Sequence, residues 1–376
     1  MNNLHRLAEA IILSLQEYIN QRRFRALIHF ELEGCFQKPV NKTLDYSQVN
    51  KKLLTLGIDG EVVAEYWSNQ WEYISLFNGQ SPLKEARNLH RAIYYLPKLF
   101  AEQGVTRTLI KPVVWAGDHG KLATGCENIF SGDNRAVHIP NAVQINVSVQ
   151  DLAGNNLLVS GNFAERLQQH FLNTSLACSL IYLPEEEAFE RLALKSKYGL
   201  AEELCSPVDL SGGHQGSIAL YRDIGKHNQK MGVEPLLYDD KNNVIASQNN
   251  WHKTARIEHR LGASSEHYNP YLNVIFALLN VIDAIDETTI SGAQAQNENG
   301  QLPSSLYDMD NTLGAISLFA NSEWFSRSID QVICKTSFNI EDLNLNLNFN
   351  NASELTVGQL LQQYYLTLFQ PPSIVT

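Results

Sequence analysis

Several segments of strand length alternate apolar residues with charged or amide residues, and this alternation narrows the possible folds considerably. The clearest case runs from Val143 to Gln150, where Val and Ile alternate with Gln, Asn and Ser. Residues 26–36 and 254–261 follow the same pattern. Because side chains two residues apart share one face of a strand, each segment has an apolar face and a polar face. An antiparallel sheet with helices on one side buries the first face and leaves the second open.

Helical patterns separate these strands. One helix is opened by Ser81 and Pro82, which places proline in the favoured first turn. The predicted helices cover residues 3–20, 82–103, 161–175, 184–195, 270–285 and 354–369. We therefore predict an α+β fold, in which a curved antiparallel sheet carries helices on its outer face.

Composition excludes two classes of partner. The net charge is −11 and no run of Lys or Arg occurs, so we expect no nucleic-acid partner. The apolar stretch at 8–15 is flanked by Glu9 and Glu17, and no apolar run is long enough to span a bilayer, so we expect no membrane span.

The cysteines are odd in number and form no C-x-x-C pair, which predicts free thiols and a cytoplasmic protein. They are Cys35, Cys126, Cys178, Cys205 and Cys334.

The polar faces carry side chains that are suited to binding cations and anions. They are Glu31 with Glu33, Glu65 with Glu72, Gln144 with Asn146, and Arg256, Glu258 and Arg260. If the open face curls into a funnel, the carboxylates converge, and a hard ion such as Mg²⁺ or Mn²⁺ is the usual way to neutralise them. Arginines among them suggest a phosphorylated or carboxylate ligand. The alternative is that these glutamates are scattered over solvent-facing surfaces.

The order of short motifs along the chain resembles the catalytic domain of glutamine synthetase and its γ-glutamyl-amine ligase relatives. The most specific motifs are Gln70-Trp71-Glu72, Arg256-Ile257-Glu258-His259-Arg260 and Asn269-Pro270-Tyr271-Leu272. The supporting motifs, which occur in the expected order, are Phe30-Glu31-Leu32-Glu33, Ala64-Glu65, the stretch 104–112, the strand and turn at 141–157, and Phe189-Glu190-Arg191-Leu192. The resemblance covers nearly the whole chain and implies a sheet shaped as a funnel.

The resemblance also implies roles for individual residues. Glu33, Glu65 and Glu72 would hold the metal near the substrate, and Glu31 and Glu258 the metal that bridges the nucleotide phosphates. Asn146 falls where the family has a third, histidine ligand on the nucleotide side, and Arg256 would face phosphate. Arg191 and Arg260 would bind the substrate carboxylate or the transferred phosphoryl group. The implied activity uses ATP with Mg²⁺ or Mn²⁺ to phosphorylate a carboxylate, which an amine then captures.

Three departures from the family pattern leave two functions open. Asn146 replaces the histidine, and His138 could substitute only if the alignment shifts. Residues 238–247, where the family has an arginine-rich segment, contain no arginine. The chain is expected to be one catalytic domain, residues 1–376, without the small β-grasp domain that completes a neighbouring subunit's site. The first hypothesis is a ligase of altered substrate, as a homo-oligomer or with a homologue or small partner; the second is a non-catalytic binding protein or partner subunit.

Overall fold

The computed structural model describes residues 3–38, 43–65, 67, 69–76, 78–117, 137–197, 217–223, 225, 231, 237–238, 244–245, 254–287, 301–310, 312–343, 345 and 354–369. Within these ranges the strands are β1 (Phe24–Gln37), β2 (Gly60–Ala64), β3 (Gln70–Ser75), β4 (Arg107–Leu109), β5 (Val113–Gly117), β6 (Val137–Pro140), β7 (Val143–Asp151), β8 (Ile218–Tyr221), β9 (Leu237–Tyr238), β10 (Val244–Ile245) and β11 (Arg256–His259).

The helices of the same ranges are α1 (Asn3–Gln21), α2 (Tyr46–Thr55), α3 (Pro82–Glu102), α4 (Phe163–Ser175), α5 (Ser179–Tyr182), α6 (Glu187–Lys197), α7 (Pro270–Asp286), α8 (Ala315–Ala320), α9 (Glu323–Ile333) and α10 (Val357–Leu366). Within the same ranges, 3₁₀ turns lie at Glu341–Leu343, between α9 and α10, and at Thr367–Phe369, after α10. No helix in the described part of the chain is long and apolar enough to cross a membrane.

A seven-stranded antiparallel sheet organises the molecule. Its strand order is β2-β3-β1-β7-β11-β8, and β4 pairs with the end of β1. Two separate hairpins join β5 to β6 and β9 to β10. The sheet is open, because its order runs from β2 at one edge to β8 at the other. The α+β class and the antiparallel sheet predicted from the alternating pattern are therefore confirmed.

Helices cover the apolar face of the sheet. Ile28, Phe30 and Leu32 of β1 are fully buried and belong to one large core that includes α1, α3 and α7. Helix α7 is buried around most of its circumference, which explains why its sequence is almost entirely apolar. Each fully buried side chain of this size contributes roughly 1.5–3 kcal/mol before the entropy of ordering is subtracted.

Close packing of β3 on β1 sets the register at one end of the sheet. Gly34 lies opposite Trp71, and a Cβ at Gly34 would lie 2.3 Å from the Trp71 ring. The glycine therefore makes room for the fully buried indole. A shift of one residue would move every side chain of the strand to the other face, so this contact also fixes where the neighbouring polar residues point.

The polar face is less open at its centre than the alternation predicts. Gln144 and Asn146 of β7 are 4% and 1% exposed, and Glu258 of β11 is fully buried. The polar side chains of neighbouring strands cover one another through hydrogen bonds and ion pairs. A two-residue alternation identifies which side chains share a face, but it does not show how tightly they pack.

Candidate functional site

The centre of the polar face is a carboxylate held between two guanidiniums. Arg256, Glu258 and Arg260 alternate along and just beyond β11, so their side chains share one face. Arg256 Nη2 lies 3.0 Å from Glu258 Oε2, and Arg260 Nη1 lies 3.1 Å from Glu258 Oε1. The Glu258 side chain is 0% exposed, whereas those of Arg256 and Arg260 are 19% and 13% exposed. The two arginines thus shield the carboxylate and present their outer edges to solvent.

Two amide side chains of β7 connect this ion pair network to β1. Asn146 lies opposite Glu258 in the ladder; its Oδ1 accepts a hydrogen bond from Arg256 Nε at 2.7 Å, and its Nδ2 donates to Glu31 Oε1 at 3.0 Å. With its amide nitrogen turned toward the carboxylates, Gln144 donates to Glu258 Oε1 at 2.7 Å and to Glu31 Oε2 at 3.3 Å. Strands β1, β7 and β11 therefore share one polar network.

Tyr221 completes the network from the edge strand β8. It lies opposite Arg256, whose guanidinium carbon sits 4.9 Å from the centre of the phenol ring. Its hydroxyl accepts a hydrogen bond from Arg260 Nη1 at 3.1 Å. Burial by itself lowers the pKa of the Arg260 guanidinium, but Glu258 and Tyr221 outweigh that effect and the net shift is upward. Arg260 is therefore a permanent cation at any physiological pH.

Tyr221 was not predicted as a site residue. Strand β8 reads Ile-Ala-Leu-Tyr, which is apolar throughout and gives no local sign of function. Only the pairing of β8 with β11 brings Tyr221 next to Arg256. Gln144 was noted on the polar face from its alternation, but its contact with Glu258 depends on the same sheet order.

A second group of carboxylates lies toward the β3 side of the sheet. Glu33 of β1 is directly opposite Glu72 of β3, a position in which Cβ atoms are roughly 4.5–5.5 Å apart. Glu33 Oε2 accepts a hydrogen bond from the Ala142 backbone N–H at 2.7 Å. Glu65 immediately follows β2 and is partly exposed, as are Glu33 and Glu72. These three residues lie at one end of the polar face, on neighbouring strands.

Arg191 of α6 is completely buried. Its Nη1 and Nη2 donate to the backbone carbonyls of Leu261 and Arg260 at 3.2 and 3.4 Å. Burial lowers the pKa of this guanidinium to about 10, although the nearby Glu33 charge opposes the shift. The group still carries its charge at neutral pH. Its observed contacts hold the backbone that carries Arg260, so the predicted contact of Arg191 with substrate stays a prediction.

The two predicted metal sites differ in how well their oxygen atoms fit an ion. Among the residues the structure describes, no group of three or more His, Cys, Asp or Glu side chains is arranged to hold a metal ion. On the nucleotide side, both Glu258 oxygens accept from guanidiniums and Asn146 Oδ1 accepts from Arg256, so this set does not fit an ion as arranged. On the substrate side, Glu33 and Glu72 are directly opposite each other on adjacent strands and so share one face, and carboxylate oxygens are ligands that Mg²⁺ prefers.

His138, the possible substitute for the missing histidine, and the arginine-free segment 238–247 complete the comparison with the predicted site. His138 is exposed on β6, in the separate β5–β6 hairpin, and its ring lies 4.6 Å from that of Trp115. Most of the arginine-free segment 238–247 lies outside the described residues; within it, Tyr238 pairs with Val244 in the β9–β10 hairpin. Cys35, Cys178 and Cys334 are free thiols as predicted, while Cys126 and Cys205 lie outside the described ranges.

Comparison with known proteins identifies the fold through structure and not through sequence. No protein-family model and no curated protein matches the chain. A solved structure described as "Apo GmaS without ligand" matches with a TM-score of 0.54 at 13% identity, over 87% of this chain and 70% of that chain. A "novel glutamine synthase homolog" matches with a TM-score of 0.52 at 14% identity, over 95% of this chain and 74% of that chain.

A third match, "GmaS/ADP complex-Conformation 1", has a TM-score of 0.51 at 13% identity and covers 87% of this chain and 71% of that chain. At such identities the likeness shows the fold alone. The chain has the fold of glutamine synthetase-like proteins, and the resemblance read from its motifs is confirmed at that level.

Proposed function

We propose that the protein is an ATP- and Mg²⁺-dependent ligase that joins a carboxylate to an amine. The observation that carries the proposal is the Arg256–Glu258–Arg260 row in a sheet of the glutamine synthetase-like fold, with more carboxylates along the same face. The structural neighbour described as an ADP complex supports a nucleotide substrate. The resemblance of the motifs supports the reaction type.

The proposed reaction has two steps, phosphorylation of the carboxylate and its capture by the amine. A carboxylate oxygen of the substrate attacks the γ-phosphorus of ATP, so an acyl phosphate forms and ADP leaves. The amine nitrogen then attacks the acyl carbon, phosphate leaves, and the nitrogen loses a proton to give the amide. We assign the exposed edges of Arg256 and Arg260 to the phosphoryl group and the carboxylate, where each charge-assisted hydrogen bond is worth roughly 1.5–3 kcal/mol.

The divalent ion in this proposal belongs to Glu33, Glu65 and Glu72. An ion held there would offset the charge of the substrate and of the transferred phosphoryl group. The support is the cross-strand pairing of Glu33 with Glu72 and the position of Glu65 at the end of β2. No step is assigned to an ion at Glu31 and Glu258, because guanidiniums and amides already occupy their oxygen atoms.

The proposal extends to the surroundings of the enzyme. We propose a cytoplasmic protein that works as a homo-oligomer or with a homologue or small partner, since family members build their sites between subunits. Ala142, Val143 and Gln144 stand where the family has glycines and would crowd a glutamate pocket, which argues for a substrate pair other than plain glutamate and ammonia. Light scattering on the purified protein measures the oligomeric state.

Phosphate release from ATP, measured across a panel of carboxylates and amines, tests the activity. We expect release that needs ATP, Mg²⁺ and both substrates, and a loss of at least about tenfold in Arg256→Lys, since lysine cannot reproduce the planar guanidinium fork. Arg107→Lys, at the exposed first position of β4, is the matched control and should keep the original rate. Absence of release with every pair, in a protein that is folded, would rule out the stand-alone ligase.

A second candidate is a non-catalytic protein that binds a nucleotide or an amino acid. The observation that favours it is that both carboxylate oxygens of Glu258 form ion pairs with Arg256 and Arg260 of the same chain. This candidate predicts calorimetric binding of ATP or an amino acid without phosphate release from any substrate pair. Turnover above background would exclude it.

A further inference from the structure

We infer that Arg256 and Arg260 take the place of a metal ion at Glu258, so that the Glu31–Glu258 half of the polar face is neutralised from within and binds no divalent ion. This inference concerns the protein's own charges and stands whether or not the ligase reaction occurs. It disagrees with the ligand role that the family resemblance implies for Glu31, Glu258 and Asn146. Three observations carry it.

The first observation is the charge balance of the network. Among the residues the structure describes, the hydrogen-bonded network contains two carboxylates, Glu31 and Glu258, and two guanidiniums, Arg256 and Arg260, connected by the uncharged amides of Asn146 and Gln144. The carboxylates already have the opposite charges they require. A divalent ion would add two positive charges to a largely buried region, where unbalanced charge is strongly unfavourable.

The second observation is that every carboxylate oxygen of the network has a donor. Glu258 Oε2 accepts from Arg256 at 3.0 Å, and Oε1 accepts from Arg260 at 3.1 Å. Glu31 Oε1 accepts from Asn146 at 3.0 Å, and Gln144 donates to the other Glu31 oxygen at 3.3 Å. An ion bound to either Glu258 oxygen would share that oxygen with a guanidinium, and repulsion between the two positive charges at a fully buried side chain opposes its binding.

The third observation is the use made of Asn146. Its single amide accepts from Arg256 Nε and donates to Glu31 in the same arrangement. Asn146 Oδ1, the oxygen that would have to coordinate an ion, therefore accepts a hydrogen bond from the Arg256 guanidinium. Asn146 links the two carboxylates through hydrogen bonds and not through a shared metal.

Counting bound Mn²⁺ by electron paramagnetic resonance tests the inference on the full chain. We expect Glu31→Gln to bind the same number of ions as the original protein, with affinity unchanged within twofold. Glu33→Gln is the matched control on the same strand, and any ion bound at Glu33 and Glu72 should weaken by at least tenfold. Loss of one ion, or a tenfold weaker affinity, in Glu31→Gln would overturn the inference.

A gain-of-binding variant tests the same point from the other side. Arg256→Gln removes the guanidinium from Glu258 Oε2 and Asn146 Oδ1, so we expect the variant to bind one Mn²⁺ more per chain than the original protein. The additional ion should disappear in the double variant with Glu31→Gln. Circular dichroism checks that both variants fold, and a folded Arg256→Gln that gains no ion would count against the inference.

Failure of the inference and failure of the proposed ligase remain distinguishable. An ion lost with Glu31→Gln overturns the inference and leaves the ligase proposal standing. Absence of Mn²⁺ binding in every variant except Arg256→Gln supports the inference and contradicts the ion proposed at Glu33, Glu65 and Glu72. Phosphate release is measured separately and decides only the ligase.

Discussion

At the scale of single residues, side chains that are adjacent in a strand point to opposite faces of the sheet and so have different surroundings. Glu258 points to the polar face, while His259 points into the core among the rings of Phe171, Tyr182 and Phe276. Its Nε2 lies 3.1 Å from Ser175 Oγ. The motif Arg-Ile-Glu-His-Arg therefore contains both site residues and core residues, in alternation.

Acid should destabilise the protein through His259. Burial lowers the pKa of its imidazole to about 3, from an ordinary value of 6.5 in the unfolded chain. Below pH 6.5 the imidazole of His259 becomes protonated in the unfolded state but stays neutral in the folded state. The contribution of the neutral imidazole to the free energy of unfolding is therefore complete above pH 6.5 and is lost as the pH falls toward 3. We expect the loss at pH 5 to be about 2 kcal/mol relative to pH 7.5, measured by urea unfolding.

The comparison with a variant isolates this contribution from those of other titrating groups. His259→Gln should be less stable at pH 7.5 but should depend less steeply on pH between 7.5 and 5. His138→Gln, changed at an exposed position, should keep the original slope. Equal slopes in His259→Gln and the original protein would show that His259 does not carry the effect.

At the scale of elements, the Asn-Pro-Tyr-Leu motif has a structural role that the sequence comparison did not state. Asn269 precedes α7, and its side-chain oxygen accepts from the backbone N–H groups of Tyr271 and Leu272. Pro270 occupies the first turn, where its missing N–H costs nothing. The motif thus caps a core helix that is buried along most of its length.

Removing this cap should weaken the whole molecule slightly. Asn269→Ala leaves two buried N–H groups without their acceptor, and we expect a loss of about 1–2 kcal/mol in the free energy of unfolding. Asn269→Asp retains the acceptor oxygen and should recover most of that loss. Equal destabilisation by both substitutions would show that packing of the side chain matters and capping does not.

The boundaries of two long helices, α3 and α7, were predictable because they depend on local pattern. The helix expected at 82–103 is observed at Pro82–Glu102, and the helix expected at 270–285 at Pro270–Asp286. The strand expected at 254–261 is shorter, at Arg256–His259, because its ladders with β7 and β8 end there. Pairing partners determine strand length, and a single strand does not encode its partners.

At the scale of the whole molecule, the order of strands in the sheet determines which side chains of the site contact one another, and local sequence patterns do not predict that order. Alternation placed Arg256, Glu258 and Arg260 on one face, and that grouping is observed. The contacts of Tyr221 and Asn146 required the order β1-β7-β11-β8, which local periodicity does not contain. Arg191 was expected to contact substrate, and its complete burial, with hydrogen bonds to the backbone carbonyls of Leu261 and Arg260, also depends on tertiary packing that local periodicity does not contain.

The network at Glu258 should also contribute to the stability of the entire sheet, because it joins four adjacent strands. Glu258→Ala leaves two largely buried guanidiniums without their carboxylate, and breaking a buried ion pair typically costs about 3–5 kcal/mol. That is a large part of the roughly 5–15 kcal/mol that stabilises a domain. We expect Glu258→Ala to lower the urea midpoint sharply or to prevent folding, and Glu258→Gln, which keeps the shape and one acceptor, to do so less.

Glu323→Ala is the control for this experiment, since its side chain is 86% exposed and should change the free energy of unfolding by less than about 0.5 kcal/mol. If Glu258→Ala changed the free energy of unfolding no more than Glu323→Ala does, the network would not contribute to the stability of the sheet. If it is destabilised as expected, a loss of ligand binding in Glu258→Ala follows from disruption of the sheet as readily as from loss of a ligand contact. The partly exposed Arg256, changed only to Lys, is for that reason the sharper probe of function.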